Sequence, residues 1–243
     1  MTTATATDRK GPLAALLGST VGLKVLMAVT GLLWVGFVLG HMVGNLQIYL
    51  PMPADGIHPI NKYAAMLKST GGLLWAVRLG LLATFAAHVW AAIKLTGVNG
   101  AARPVAYREK RFQVASFSST YMRVSGFAIL FFVLYHLAHF TMGLTNPADY
   151  ARHLDNGMHD VYAMFVLGFR NPIVAVLYVV ANVLVALHLH HAVSSIFQTL
   201  GLRTARYAAT IDKIGPAVGV LVAVGNISMP LAVLLGLVGA DVQ

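Results

Sequence analysis

The sequence predicts an all-α integral membrane protein with five spanning helices. Two observations carry that prediction. Hydrophobic residues fill 58% of the 243 positions and charged residues only 10%, more apolar surface than a water-soluble chain of this length can bury. Five stretches also reach the roughly 20 mainly apolar residues that a helix needs to cross a bilayer. A third observation bears on function. Four histidines, His41, His88, His136 and His188, fall one each in the first four stretches, 47, 48 and 52 residues apart.

In chain order, Met1 to Thr20 is mildly polar and carries Asp8, Arg9 and Lys10. The first stretch, about 21–50, is too long for the core of a signal peptide and reads as a retained helix. Pro51 and Pro53 close it. The second and third stretches run at about 71–95 and 121–144. Pro172 opens the fourth, about 172–200, and Pro216 the fifth, about 214–238, at helix starts where proline is tolerated. The first and fourth exceed the bilayer thickness, which predicts tilt or an extension past the lipid. Connections of about 20 to 25 residues are too short for a soluble catalytic unit, so residues 1–243 read as one membrane domain.

Lysine and arginine set the orientation. Of the 17, twelve fall on or beside one face: Arg9, Lys10, Lys24, Lys94, Arg103, Arg108, Lys110, Arg111, Arg123, Arg203, Arg206 and Lys213. Lys62, Lys68, Arg78, Arg152 and Arg170 fall on the other, beside Asp55, Asp149, Asp155, Asp160 and Asp241. The N-terminus is therefore expected inside and the C-terminus outside. The inner basic rim suits anionic lipid and also the docking of an acidic soluble partner.

Successive spans run in opposite directions, so the first and third histidines share one depth and the second and fourth another. At about 1.5 Å per residue, His41 and His136 fall in the outer half, His88 and His188 in the inner half. An imidazole in hydrocarbon is costly unless satisfied, which makes an intramembrane histidine a functional candidate. One alone is explained by a hydrogen bond to a neighbouring helix, worth under about 2 kcal/mol. Four, paired in depth, are not so easily assigned to packing. The chain has no cysteine, which removes iron–sulfur ligation, thiolate haem and covalent c-type attachment. The spans also lack the carboxylates and thiols that would complete a zinc or copper site. The expected architecture is a four-helix bundle holding two stacked bis-histidine b haems, with a fifth span beside it.

Other residues bear on the assignment. Gly36, Gly40 and Gly44 repeat every four residues near His41, giving either a small-residue helix seam or room for a porphyrin. His139 follows His136 by three residues and lies near the same face. Within the cluster His188, His190 and His191, the first and last share a face while His190 points elsewhere.

Several strings carry a family resemblance: MAVTGLLWVGFVLGHMVGNLQIY around His41, AAHVWAAIKLTG around His88, and ARPVAYREKRFQVASFSSTYMRVSG before the third span. FFVLYHLAHFTMGLTNP surrounds His136, and GFRNPIVAVLYVVANVLVALHLHHAVSSIFQTLGL surrounds His188. In these segments the chain resembles the dihaem cytochrome b (b558-type) membrane-anchor subunit of succinate dehydrogenase, a succinate:quinone oxidoreductase. The likeness extends from about Leu23 to Leu237. It implies that His41 and His136 hold a distal haem, and His88 and His188 a proximal haem beside the soluble subunits. It selects His136 over His139, and His188 over His190 or His191. The sequence departs from the family pattern at Ala192, where glycine is common, and at Ser194, where tryptophan is common. Ala186 stands where some dihaem relatives carry a glutamate tied to proton movement, and Glu109 is the chain's one glutamate.

The resemblance implies a flavoprotein subunit and an iron–sulfur subunit on the inner face of a bacterial cytoplasmic membrane. Electrons would pass through two b haems to a membrane quinone, which the likeness to dihaem members makes menaquinone. The chain lacks flavin and iron–sulfur motifs, so it is expected to serve as a subunit of the enzyme and not to oxidise succinate alone. A quinone needs an apolar slot with one or two donors. Inner-side donors are Lys24, Ser119, Arg123, Ser194 and Gln198, with Arg123, Lys24 and Ser194 the candidates for quinone or haem propionate. Outer-side donors are Asn45, Gln47, Tyr49, Trp75 and Arg78. His58, His153 and His159 in the outer connections read as solvated or surface groups, with quinone protonation as a further role. Two other readings remain from the sequence: a haem-free transporter or proton-relay protein, and the dihaem anchor of a fumarate reductase.

Overall fold

The computed structural model describes residues 11–102 and 121–242. Arg9, Lys10, Arg103, Arg108, Glu109, Lys110, Arg111 and Ser119 lie outside the described residues. The protein is helical and membrane-embedded, with five helices among the described residues long and apolar enough to span: Thr20–Tyr49, Gly72–Ala101, Met122–Thr141, Pro172–Thr199 and Ala208–Leu234.

Each span begins or ends for a local reason. A short helix, Pro12–Gly18, precedes the first span, whose start is capped by the Ser19 hydroxyl accepting from the Gly22 amide at 2.9 Å. The α-helix Thr20–Asn45 tightens into a 3₁₀ turn, Leu46–Tyr49, just before Pro51. Gly71 adopts a positive φ of 55°, which frees the sharp reversal into the second span. Pro172 sits at the first turn of the fourth span, where the Asn171 side chain accepts from Ile173 and Val174. The third span is α-helical over Met122–His136 and widens into a π turn, Leu137–Thr141. Gly143, at φ 65°, follows it, where any side chain would run into the Tyr150 ring.

Two expectations are corrected. The fifth span starts at Ala208, so Pro216 lies inside the helix together with Pro230 instead of opening it. Neighbouring helices support such prolines by packing against the weakened turn. Here Gly215 and Gly219 bring the fifth span against the backbone of the fourth. A side-chain carbon on Gly219 would meet the Ala186 carbonyl oxygen at 2.7 Å, and one on Gly215 would overlap that of His190. The second span also continues to Ala101, past the expected 95. The connections at one end hold further helices, among them Pro59–Ser69, Pro147–Tyr150 and Val161–Arg170.

Pro59–Ser69 and Val161–Arg170 pack together as a cap over the carboxyl end of the first span. A buried polar network fastens them. Asn61 donates to Asp160 at 3.0 Å and accepts from the Tyr162 amide at 2.8 Å, while Asp160 caps its own helix through the Ala163 amide. His58 stacks on Tyr162 with ring centres 3.9 Å apart. The Tyr162 hydroxyl donates to Asp241, and Arg170 donates to the carbonyls of Gly239 and Val242, so the C-terminal segment is tied to the cap.

The second span packs chiefly on the first, the third on the fourth, and the first on the fourth. The apolar core is split. One cluster, around Ile48, Ile60, Phe165, Val166, Phe169, Tyr178 and Met229, lies at the cap end. A smaller one, Leu23, Ala91 and Leu95 with Leu26 and Met27, lies at the amino-terminal end of the first span. Between the two the bundle is hollow.

The cap carries an expected pH response. Burial holds the His58 imidazole below its ordinary 6.5, although its contact with the Leu50 carbonyl works the other way. Its contribution is therefore complete above pH 6.5 and is lost as the pH falls below that, where the unfolded chain takes up the proton first. Burial, with Asp241 second, pushes Tyr162 up to about 12. That contribution is complete below the ordinary 10.0 and is lost as the pH rises toward 12. Thermal unfolding in detergent is expected to show both limbs, and His58→Gln to flatten the acid one. An unchanged acid limb in that variant would contradict the assignment.

Candidate functional site: two imidazole pairs in one cavity

The hollow is a cavity of about 1940 Å³, and His41, His88, His136 and His188 all line it. Single small-molecule sites occupy about 300–1,000 Å³, so the space exceeds what one ordinary ligand fills. The rings sort into two levels. His41 and His136 face each other with ring centres 5.7 Å apart and planes at 86°. Two imidazoles sharing one metal at about 2.0–2.1 Å per nitrogen stand about 6 Å apart, centre to centre. His88, beside Gly31, and His188, beside Gly126, line the cavity toward its other end. Ten residues separate Gly31, beside His88, from His41, which is about 15 Å along the helix axis.

The hydrogen bonds place one nitrogen of each ring against a side-chain partner. His88 Nδ1 lies 3.0 Å from the Thr30 hydroxyl, which donates its own proton to the Leu26 carbonyl at 2.7 Å. The hydroxyl therefore accepts from His88 Nδ1–H, and His88 Nε2 keeps its lone pair. His188 repeats this. Its Nδ1 lies 3.2 Å from the Ser125 hydroxyl, whose proton goes to the Met122 carbonyl at 3.1 Å. His136 Nδ1 lies 3.3 Å from the Tyr178 hydroxyl. At three of the four rings Nδ1 is held and Nε2 is left, the arrangement that orients a metal-binding histidine. His41 differs, since its Nε2 already accepts from the Asn45 amide at 3.1 Å.

Glycines clear the space beside two of the rings. A carbon added at Gly31 would lie 3.4 Å from His88 Cε1, and one at Gly126 would lie 3.7 Å from His188 Cε1. The pattern is duplicated in sequence. Thr30-Gly31 precedes His41, and Ser125-Gly126 precedes His136, with the hydroxyl 11 residues before the histidine in both spans. Eleven residues make about three helical turns, so one face carries a histidine at one level and a hydroxyl at the other. That spacing was the sequence signal for Thr30 and Ser125, neither of which composition singles out. The wall between the levels is aromatic: Trp34 lies 5.3 Å from Phe37 and 5.2 Å from Phe85, and Phe37 stacks on His41.

Charge within the cavity has one sign. Lys24 and Arg123 line it toward the amino-terminal end, Lys68 and Arg78 toward the cap, and none of the lining residues is a carboxylate. An apolar chamber with cations at both ends fits flat apolar bodies that carry peripheral carboxylates, as a porphyrin does. Among the described residues there is no group of three or more His, Asp or Glu that would hold a bare ion.

The remaining sequence candidates fall out as follows. Gln198, Asn45, Trp75 and Arg78 line the cavity, whereas Gln47 and Tyr49 are not among its lining residues. Ser194 is also outside the lining set and turns toward the fifth span, where a carbon on Gly215 would meet its hydroxyl at 2.8 Å. Ser195, one residue on, does line the cavity and lies 3.0 Å from His191 Nε2. His190 packs against Gly219 of the fifth span. His139 is buried and points away from the chamber toward Gly168. Gly36 and Gly40 make no helix seam, having open space where a side chain would stand, and only Gly44 is close-packed, against Tyr63 of the cap. His58 is buried beneath the cap instead of solvated, and His159 lines the cavity.

Comparison of the chain with protein-family models, curated proteins and solved structures finds no match. The fold and the site define a helical membrane protein whose bundle lines one cavity with four histidines, two of which, His41 and His136, face each other.

Nitrogen-15 shifts of the ring nitrogens are expected to report Nδ1–H tautomers at both His88 and His188. Thr30→Val should release His88 alone, at a cost of about 1 kcal/mol. A shift at neither ring, or an Nε2–H tautomer at His88, would contradict the assignment.

Proposed function

We propose that the protein is the membrane-anchor cytochrome b subunit of a succinate:quinone oxidoreductase, carrying two b haems. The observation that supports this best is the pair of two-imidazole levels in one carboxylate-free cavity. Bound there, haem would supply one-electron carriers at two levels between the two ends of the bundle. His41 and His136 would hold one iron, and His88 and His188 the other. Thr30 and Ser125 orient the second pair and raise the basicity of its rings by accepting from Nδ1. Lys24 and Arg123 at one end, and Lys68 and Arg78 at the other, would offset the charge of haem propionates. The apolar walls exclude water, which with the hydrogen bonds to the ligands sets the potentials.

On this reading the amino-terminal end faces the cytoplasm of a bacterial cell. The flavoprotein and iron–sulfur subunits dock there and deliver electrons from succinate. The His88–His188 level is the nearer to them. A membrane quinone, menaquinone by the family resemblance, takes the electrons, and Arg123 and Lys24 are its candidate donors at that end. The resemblance supports these partners; the cavity supports the cofactors.

The test is a dithionite-reduced-minus-oxidised spectrum with haem quantified per chain. Two b haems are expected. His41→Ala or His136→Ala should remove one and His88→Ala or His188→Ala the other. A correctly inserted chain without haem would overturn the proposal.

A further inference from the structure

The two levels differ in how their rings are held. At the His88–His188 level both hydroxyl partners give their protons to main-chain carbonyls, so the backbone fixes the tautomers. At the other level the partner is Tyr178, buried in the fourth span, and its hydroxyl serves two rings. It lies 3.3 Å from His136 Nδ1 and 3.0 Å from His139 Nδ1.

Tyr178 is buried, and a buried O–H left unpaired is costly, so between two imidazole nitrogens its hydroxyl donates to one and accepts from the other. The two neutral rings therefore take opposite tautomers. The π turn Leu137–Thr141 sets this up, because it begins directly after His136 and carries His139. Such turns inside helices recur at functional sites. His139 is 2% exposed and lies outside the cavity lining, so it is no alternative ligand.

We infer that Tyr178 and His139 are positioning residues that lock His136 in its ligating tautomer. The inference rests on the reading of His136 as an axial ligand. With His136 using Nε2 for iron, its Nδ1–H donates to the Tyr178 oxygen. Tyr178 O–H then donates to His139 Nδ1, and the His139 proton resides on Nε2. Without the acceptor at position 139, the Tyr178 proton is free to turn toward His136 Nδ1. That would place the His136 proton on Nε2 and block ligation. The His88–His188 level has no such dependence on a second side chain.

Two readouts on the full chain in lipid test this. In haem-free protein, ring nitrogen-15 shifts should give opposite tautomers for His136 and His139, and Tyr178→Phe should abolish that relation. Identical tautomers in the wild type would overturn the lock, whether or not haem binds. In haem-loaded protein, Tyr178→Phe and His139→Leu should weaken retention at the His41–His136 level by about 10- to 100-fold. The midpoint potential of that haem should rise in Tyr178→Phe, since the ring loses its Nδ1 acceptor, while the other haem keeps its potential. His139→Gln, which keeps an acceptor oxygen, should restore retention. Equal effects of His139→Leu and His139→Gln would show that bulk at 139 matters and the acceptor does not, and would overturn the inference. Absence of haem from the wild type would instead sink the ligand reading, and the tautomer measurement would still decide the lock.

Discussion

An imidazole inside an apolar bundle has two nitrogens, and each needs a partner. Much of this structure follows from that requirement. Thr30, Ser125 and Tyr178 each satisfy an Nδ1, which leaves the opposite nitrogen directed at whatever occupies the chamber. The hydroxyls of Thr30 and Ser125 do so without losing their own bonds to the preceding turn, the usual way such residues are accommodated within helices. The glycine following each of these hydroxyls keeps the ring's edge uncovered. Four rings that would be liabilities in hydrocarbon become the ordered lining of a site.

The same requirement explains where the bundle is well packed and where it is not. Protein interiors are close-packed, yet here dense clusters occur at the two ends and the middle is open. The fourth and fifth spans meet backbone to backbone through Gly215 and Gly219, which gives the hollow one rigid wall. The cap helices close one end through Asn61, Asp160 and Tyr162. The second and third spans, the least buried of the five, bound the chamber on its other side. A molecule filling the cavity would supply the contacts these two spans lack, and its binding would stabilise the fold by mass action.

Much of this was legible in the sequence because the signals are local. Long apolar runs define spans whatever their neighbours do, and one histidine per run at even spacing survives errors in the boundaries. Pro216 misled because proline favours helix starts in general, while in a membrane bundle a neighbouring span can support it mid-helix. The cap helix Pro59–Ser69 was missed because its N-cap is His58, outside the usual Ser, Thr, Asp and Asn signals. Val161–Arg170, by contrast, opens on a capping aspartate, Asp160, a signal that is local to the sequence. Thr30 and Ser125 were encoded in the 11-residue spacing to His41 and His136. Tyr178 was not, since only the packing of the third span on the fourth brings its hydroxyl to His136 and His139.

The account turns on what lies between the facing rings, and iron positions in the purified chain test it most directly. Anomalous scattering at the iron edge, or a cryo-EM map with its cofactor density, should locate two irons per chain. One should lie between His41 and His136 and the other between His88 and His188, about 15 Å apart along the bundle. A chamber filled by lipid, with no iron bridging either pair, would contradict it.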